Sequence, residues 1–169
     1  MKLIKTISGI RGVVGKTLTT STVNYYTNIF THMQPRGDIL LARDTRSHGI
    51  DLYENICDTL TLMGRNVISC EIIPTPTAQF IIKNKKLSGG IIVTASHNPI
   101  EWNGLKFLDD DGCFLNKEKM EHLLSSNPES IKIDRGNIID AENDYLDHIN
   151  NILQLSCINV NKIKEKKYN

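Results

Sequence analysis

The sequence predicts a layered α/β/α domain with a mixed, largely parallel sheet flanked by helices. Two observations carry this. Short, continuously apolar runs such as Asp38 to Ala42 and Ile91-Ile92-Val93 have the length and composition of strands buried on both faces. They alternate with longer stretches whose apolar residues recur at helical spacing, the pattern of strands joined by crossover helices.

In chain order, Gly12-Val13-Val14-Gly15-Lys16-Thr17 is a glycine-rich turn. It is not a nucleotide P-loop, because the glycine that motif needs five residues before Gly-Lys-Thr is Ile10. Val23, Tyr26, Phe30 and Met33 mark a helix over about 20–33, with the hydroxyls of Thr19-Thr20-Ser21 ready to cap it. The Asp38 to Ala42 strand leads through a loop into a second helix, carried by Ile50, Tyr53, Cys57, Leu60 and Met63 and closed by Gly64. Asn66 to Ile73 is another strand. Thr75-Pro76 then supplies an N-cap and a proline at the first position of a third helix. Gly89-Gly90 introduces the Ile91 to Val93 strand.

Further on, Leu105 to Leu108 and Cys113 to Leu115 flank Asp109-Asp110-Asp111-Gly112, a hairpin signal. A calcium loop fails on the same residues, since its first ligand position is Phe107, which has no oxygen to offer. Ala141, Tyr145, Ile149, Ile152 and Leu153 make an amphipathic helix that Asp140 could cap, and Asn159 could cap a short one through Val160 and Ile163. The sequence closes on Lys166-Lys167-Tyr168-Asn169 with no further strand pattern.

The 169 residues carry 20 Lys+Arg against 19 Asp+Glu, with 40% hydrophobic residues, which fits one globular domain. The balance leaves no electrostatic footprint for a polyanion, so neither nucleic acid nor a membrane is an expected partner. Cys57, Cys70, Cys113 and Cys157 form no C-x-x-C pair, so no zinc or dithiol motif is legible and reduced thiols are expected. The apolar run between Lys5 and Arg11 is too short for a signal peptide, and a cytoplasmic location is expected.

Ser96-His97 invites a serine hydrolase reading. Neighbours in an extended segment point to opposite faces, and the G-x-S-x-G elbow is absent, which argues against it. The wider stretch from Gly89 to Pro99, followed by Glu101 to Lys106, delivers a hydroxyl from a buried strand into a polar loop, with an amine ten residues on. Loop N–H groups, asparagine and histidine around such a serine match the oxygens of a phosphate.

Thr94-Ala95-Ser96-His97-Asn98-Pro99, followed by Trp102-Asn103-Gly104-Leu105-Lys106, resembles the phosphoserine loop of the α-D-phosphohexomutases, the family of phosphoglucomutase, phosphomannomutase and phosphoglucosamine mutase. Three further segments agree in order with the family's first domain: Ser8 to Gly12, Ala42 to Arg46, and Ile73 to Thr77. The resemblance covers residues 1 to about 125. It implies phosphate moving between the 1- and 6-positions of a hexose or hexosamine through an active-site phosphoserine and a bisphosphorylated sugar.

Ser96 would carry the phosphate, Lys106 would exchange a proton with the sugar hydroxyl, Arg11 would face the phosphoserine, and His97 would assist positioning and proton handling. Thr94, Asn98 and Asn103 would complete the phosphate and substrate loop. Mg²⁺ would bind through the Ser96 phosphate. Trp102, Ala42 and His48 depart from the family's usual tyrosine, glycine and serine without removing a catalytic group.

Family members have four domains, with a D-x-D-G-D-R metal motif on the second. Asp109 to Phe114 only mimics it, because Cys113 and Phe114 stand at the third aspartate and the arginine. The expectation is therefore a first domain over 1–139, a helical linker over 140–169 toward a missing second domain, and a fragment inactive without domains II to IV. A free-standing phosphosugar- or phosphate-binding module without catalysis is the alternative.

Overall fold

The computed structural model describes residues 2–129, 134–141 and 143–166. Among the described residues, seven strands, β1 (Ile4–Thr6), β2 (Gly9–Val13), β3 (Ile39–Arg43), β4 (Val67–Ile72), β5 (Gly90–Val93), β6 (Trp102–Leu108) and β7 (Ile138–Asp140), form one sheet. Its order is β1-β2-β6-β5-β3-β4-β7. The helices are α1 (Thr20–Met33), α2 (Gly49–Leu62), α3 (Thr75–Lys85), α4 (Lys117–Ser125), α5 (Tyr145–Leu153) and α6 (Val160–Lys166).

The sheet is mixed. β5, β3, β4 and β7 pair in parallel, as crossover helices require, whereas β1, β2, β6 and β5 pair antiparallel. Parallel pairing is thus confined to one half of the sheet. Two cores follow from the strand alternation. Ile39, Leu41, Ile91, Val93, Leu105 and Ile10 face α1, α2 and α4, where Phe30, Ile56, Leu60 and Leu123 meet them. Leu40, Ala42, Ile68, Ile92 and Leu108 face α3, through Ala78, Ile81 and Ile82. Each strand of the β3–β5 pair is apolar at successive positions because both of its faces are covered.

Local chemistry sets the helix ends. The Thr19 hydroxyl accepts from Thr22 N–H at 3.2 Å and caps α1. At the far end of α1, Arg65 donates to the carbonyls of Thr31, Gln34, Pro35 and Gly37, tying the helix exit to the turn after α2. α3 begins at Thr75 itself, with Pro74 in the cap position and Pro76 in the first turn. α5 rests on α3 through a Thr77–His148 hydrogen bond of 3.1 Å, Phe80–His148 stacking and the Lys85–Asp144 ion pair.

Besides the start of α3, where Thr75 is the first helical residue and not the cap, the structure differs from expectation in four places. The glycine-rich N-terminal stretch is the strand β2 followed by a turn. Gly12 serves close approach there, since a Cβ would lie 2.6 Å from Thr17 Oγ1 and 2.9 Å from Leu18 N. The acidic turn makes only an isolated bridge between Leu108 and Phe114 before the chain enters α4, so the second arm of the expected hairpin is not a strand. α4 has no counterpart in the sequence pattern, because Lys117–Ser125 buries only Met120 and Leu123. Asp140 closes β7 instead of capping a helix, and Asp144 precedes α5. Asn159 does cap α6, accepting from Lys162 N–H at 2.9 Å. Residues 167–169 of the lysine-rich tail lie outside the described residues.

Candidate active site

The loops leaving β3 and β5 meet at the carboxyl ends of the parallel strands, where α/β sheets place their chemistry. Val93 is buried, as are Thr94 and Ala95, and the chain then surfaces abruptly at Ser96 and His97. Ser96 has φ +56, in the left-handed region. That turn removes the extended geometry on which the opposite-faces argument depends: Ser96 Oγ and His97 Nδ1 lie 3.4 Å apart.

Beneath the serine, the Thr94 hydroxyl accepts from Ser96 N–H at 3.0 Å and donates to Asp44 Oδ2 at 2.9 Å. Asp44 pairs with Arg46 at 3.1 Å. The Arg46 guanidinium, its side chain 10% exposed, also donates to four carbonyls of the serine loop: Ser96 (3.1 Å), Asn98 (2.8 Å), Pro99 (2.8 Å) and Trp102 (3.2 Å). His48 Nε2 lies 2.6 Å from the Ile100 carbonyl, which fixes it as the donor there. Its Nδ1 then accepts from Asn103 Nδ2 at 3.3 Å, and Asn103 Oδ1 accepts from Gly104 N–H at 2.8 Å.

Arg11 and Lys106 come from the antiparallel half. Arg11 stands opposite Gly104 in the β2–β6 ladder, and Lys106 stands opposite Ile92 in the β5–β6 ladder. Their even spacing puts both on the α3 side of the sheet. Both are half-buried. Burial, with the Arg11 charge adding to it, holds the Lys106 ammonium below the usual lysine range. The amine also lies 5.0 Å from the centroid of the Phe114 ring. A lysine so placed loses its proton more readily than a free one, the direction a proton acceptor needs.

Ser96 and His97 are therefore adjacent and exposed, and Arg11 and Lys106 share a face. Thr94 and Asn103 have their side chains spent inside the protein as braces. Asn98 contributes its backbone at both ends, N–H to the Ala95 carbonyl and C=O to Arg46. Asp44, Arg46 and His48 form the brace that sequence reading leaves without a role. The available signal is a cluster of charges directly after a strand otherwise buried on both faces.

The fold and site define an α/β domain with a serine-bearing loop at the carboxyl ends of its parallel strands. Residues 2–131 match the family model described as phosphoglucomutase/phosphomannomutase, alpha/beta/alpha domain I, and the chain belongs to that family. A phosphoglucosamine mutase of Prochlorococcus marinus subsp. pastoris is 41% identical over 125 residues, covering 72% of this chain and 27% of the relative. A phosphoglucosamine/phosphogalactosamine mutase of Sulfurisphaera tokodaii is 31% identical over 95% of this chain and 36% of its own. The crystal structure of a protein described as a phosphomannomutase from Thermus thermophilus superposes with a TM-score of 0.70 at 26% identity, over 82% of this chain and 33% of that one. The chain spans about a third of the length of these relatives.

Proposed function

We propose that the chain is the phosphoserine-bearing domain of a phosphohexomutase that interconverts hexose 1-phosphate and hexose 6-phosphate through a bisphosphorylated sugar. The observation that carries this is Ser96, exposed in a left-handed turn on a loop braced from below, with a lysine of lowered pKa and an arginine together on the neighbouring strands. The names of the relatives favour a hexosamine phosphate over other hexoses.

In the transfer, the bond between phosphorus and Ser96 Oγ breaks as one forms to a sugar hydroxyl oxygen. That hydroxyl's proton passes to the neutral Lys106 amine, and Arg11 offsets phosphoryl charge. The reverse transfer returns a phosphate to Ser96 after the sugar has turned. His97, 3.4 Å from Ser96 Oγ, orients that oxygen. Mg²⁺ would neutralise phosphoryl charge when bound. The described residues contain no cluster of three or more His, Cys, Asp or Glu able to hold an ion, and Asp44 is committed to Arg46 and Thr94. This chain would thus offer the ion a Ser96 phosphate oxygen, with the other ligands coming from elsewhere in a longer protein.

The test replaces the first domain of the Prochlorococcus relative by residues 1–139. The chimera should interconvert glucosamine 1- and 6-phosphates and carry phosphate mapped to Ser96, and Ser96→Ala should lose both. Phosphate mapped to another residue, or undiminished turnover without Ser96, overturns the proposal.

A further inference from the structure

Between Ser96 and Trp102, five backbone carbonyls turn toward the start of α2: four end on Arg46 and that of Ile100 ends on His48. In a trans peptide the C=O of one residue and the N–H of the next point in opposite directions. A carbonyl collected on the α2 side therefore turns the N–H that follows it away from α2, except after Asn98, where Pro99 has no N–H. The Ser96 carbonyl on Arg46 sends the His97 N–H, in the peptide that directly follows Ser96, away from the clamp. Among the described residues that N–H has no hydrogen-bond acceptor.

The two clamp residues are not interchangeable. Arg46 offers a planar fork with enough donors to serve Asp44 and four carbonyls together, which an ammonium cannot do. His48 links the Ile100 carbonyl to the fully buried Asn103, whose oxygen holds Gly104 N–H, so the clamp is continuous with the β6 strand that carries Lys106.

We propose that Arg46 and His48 are positioning residues that act through the backbone, holding Ser96 in its left-handed turn and presenting the His97 N–H as a donor to a phosphate on Ser96. The clamp itself is independent of the phosphohexomutase reading, and only the His97 donor rests on it.

The test is amide hydrogen exchange on the full chain. Arg46→Lys keeps the charge and removes the fork, and should speed exchange across the 95–104 loop roughly tenfold or more, with exchange in β3 and β5 unchanged. His48→Leu should do the same near Ile100 and Gly104. In Arg46→Ala, millimolar guanidinium ion should slow the loop amides again while equal sodium chloride does not, a rescue that general destabilisation would not show. Unchanged loop exchange in both variants, or acceleration shared equally with the core strands and no rescue, overturns the clamp. With phosphoserine incorporated at position 96 during translation, the His97 amide proton should move downfield. An unmoved amide overturns the donor, whatever the exchange data show.

Discussion

Arg11 lies directly over Gly104: they face each other in the β2–β6 ladder, and a Cβ on the glycine would come 3.0 Å from Arg11 Cγ, 2.3 Å from the Ile10 carbonyl oxygen and 3.1 Å from the Thr94 carbonyl oxygen. Gly104 thus joins three parts of the site, since its own carbonyl accepts from Thr94 N–H at 2.9 Å. Gly104→Ala should destabilise the domain by about 1–3 kcal/mol, because two of the atoms in the way are backbone that cannot step aside. Urea unfolding checks this. A midpoint within error of the parent's would mean the ladder can open without cost.

Lys106 predicts a pH dependence. Its folded-state pKa is lowered, first by burial and then by Arg11, so the unfolded chain binds more protons just below the ordinary lysine pKa of about 10.4. Its charge therefore costs the fold stability at neutral pH, and that cost disappears as pH rises through the window. Lys106→Met should be more stable than the parent at pH 7, with the advantage shrinking toward pH 10 in paired urea titrations. Arg11→Met should raise the Lys106 titration followed by NMR at its ε-carbon, and a fall would contradict the charge assignment.

The thiols should divide by burial. Cys57 and Cys70 are buried and pushed up to about 12, chiefly by loss of solvation, whereas Cys113 and Cys157 are exposed. In the folded protein at pH 8, a disulfide reagent should modify Cys113 and Cys157 and reach the other two only in denaturant. Cys113 should react more slowly than a free thiol, because the Asp111 charge raises its pKa. Peptide mapping after a timed quench decides the matter, and early modification of Cys57 would be the contrary result.

Much of the fold is legible because local signals and burial agree. The α1 pattern, the Thr19 cap and the Ile91-Ile92-Val93 strand each follow from residues a few positions apart. β2 hides behind Gly9 and Gly12, which serve close approach to the Leu105 backbone and to Thr17 and Leu18 respectively, a purpose that cannot be seen from spacing. α4 and β7 are hard to read because they bury little. Within the site, resemblance marks Ser96, Lys106 and Arg11, whereas Arg46 and His48 act on carbonyls about fifty positions further along. No local pattern announces that partnership. Sequence spacing misjudges the serine–histidine pair because adjacent residues oppose each other only in extended chain, and φ +56 at Ser96 ends that.

The division of the sheet into a parallel and an antiparallel half also sets an order of assembly. β3, α2, β4, α3 and β5 are consecutive and pair among themselves, whereas the β2–β6 ladder joins the beginning of the chain to Gly104 and Leu105. Contacts of long sequence separation carry the larger closure entropy and slow folding. In a refolding experiment with pulsed deuterium labelling, amides of β3 and β5 should gain protection before those of β2. The serine loop would then emerge on a nascent scaffold while the strand bearing Arg11 is still unpaired, and the half of the site that holds Arg11 would be the last part of the domain to become whole.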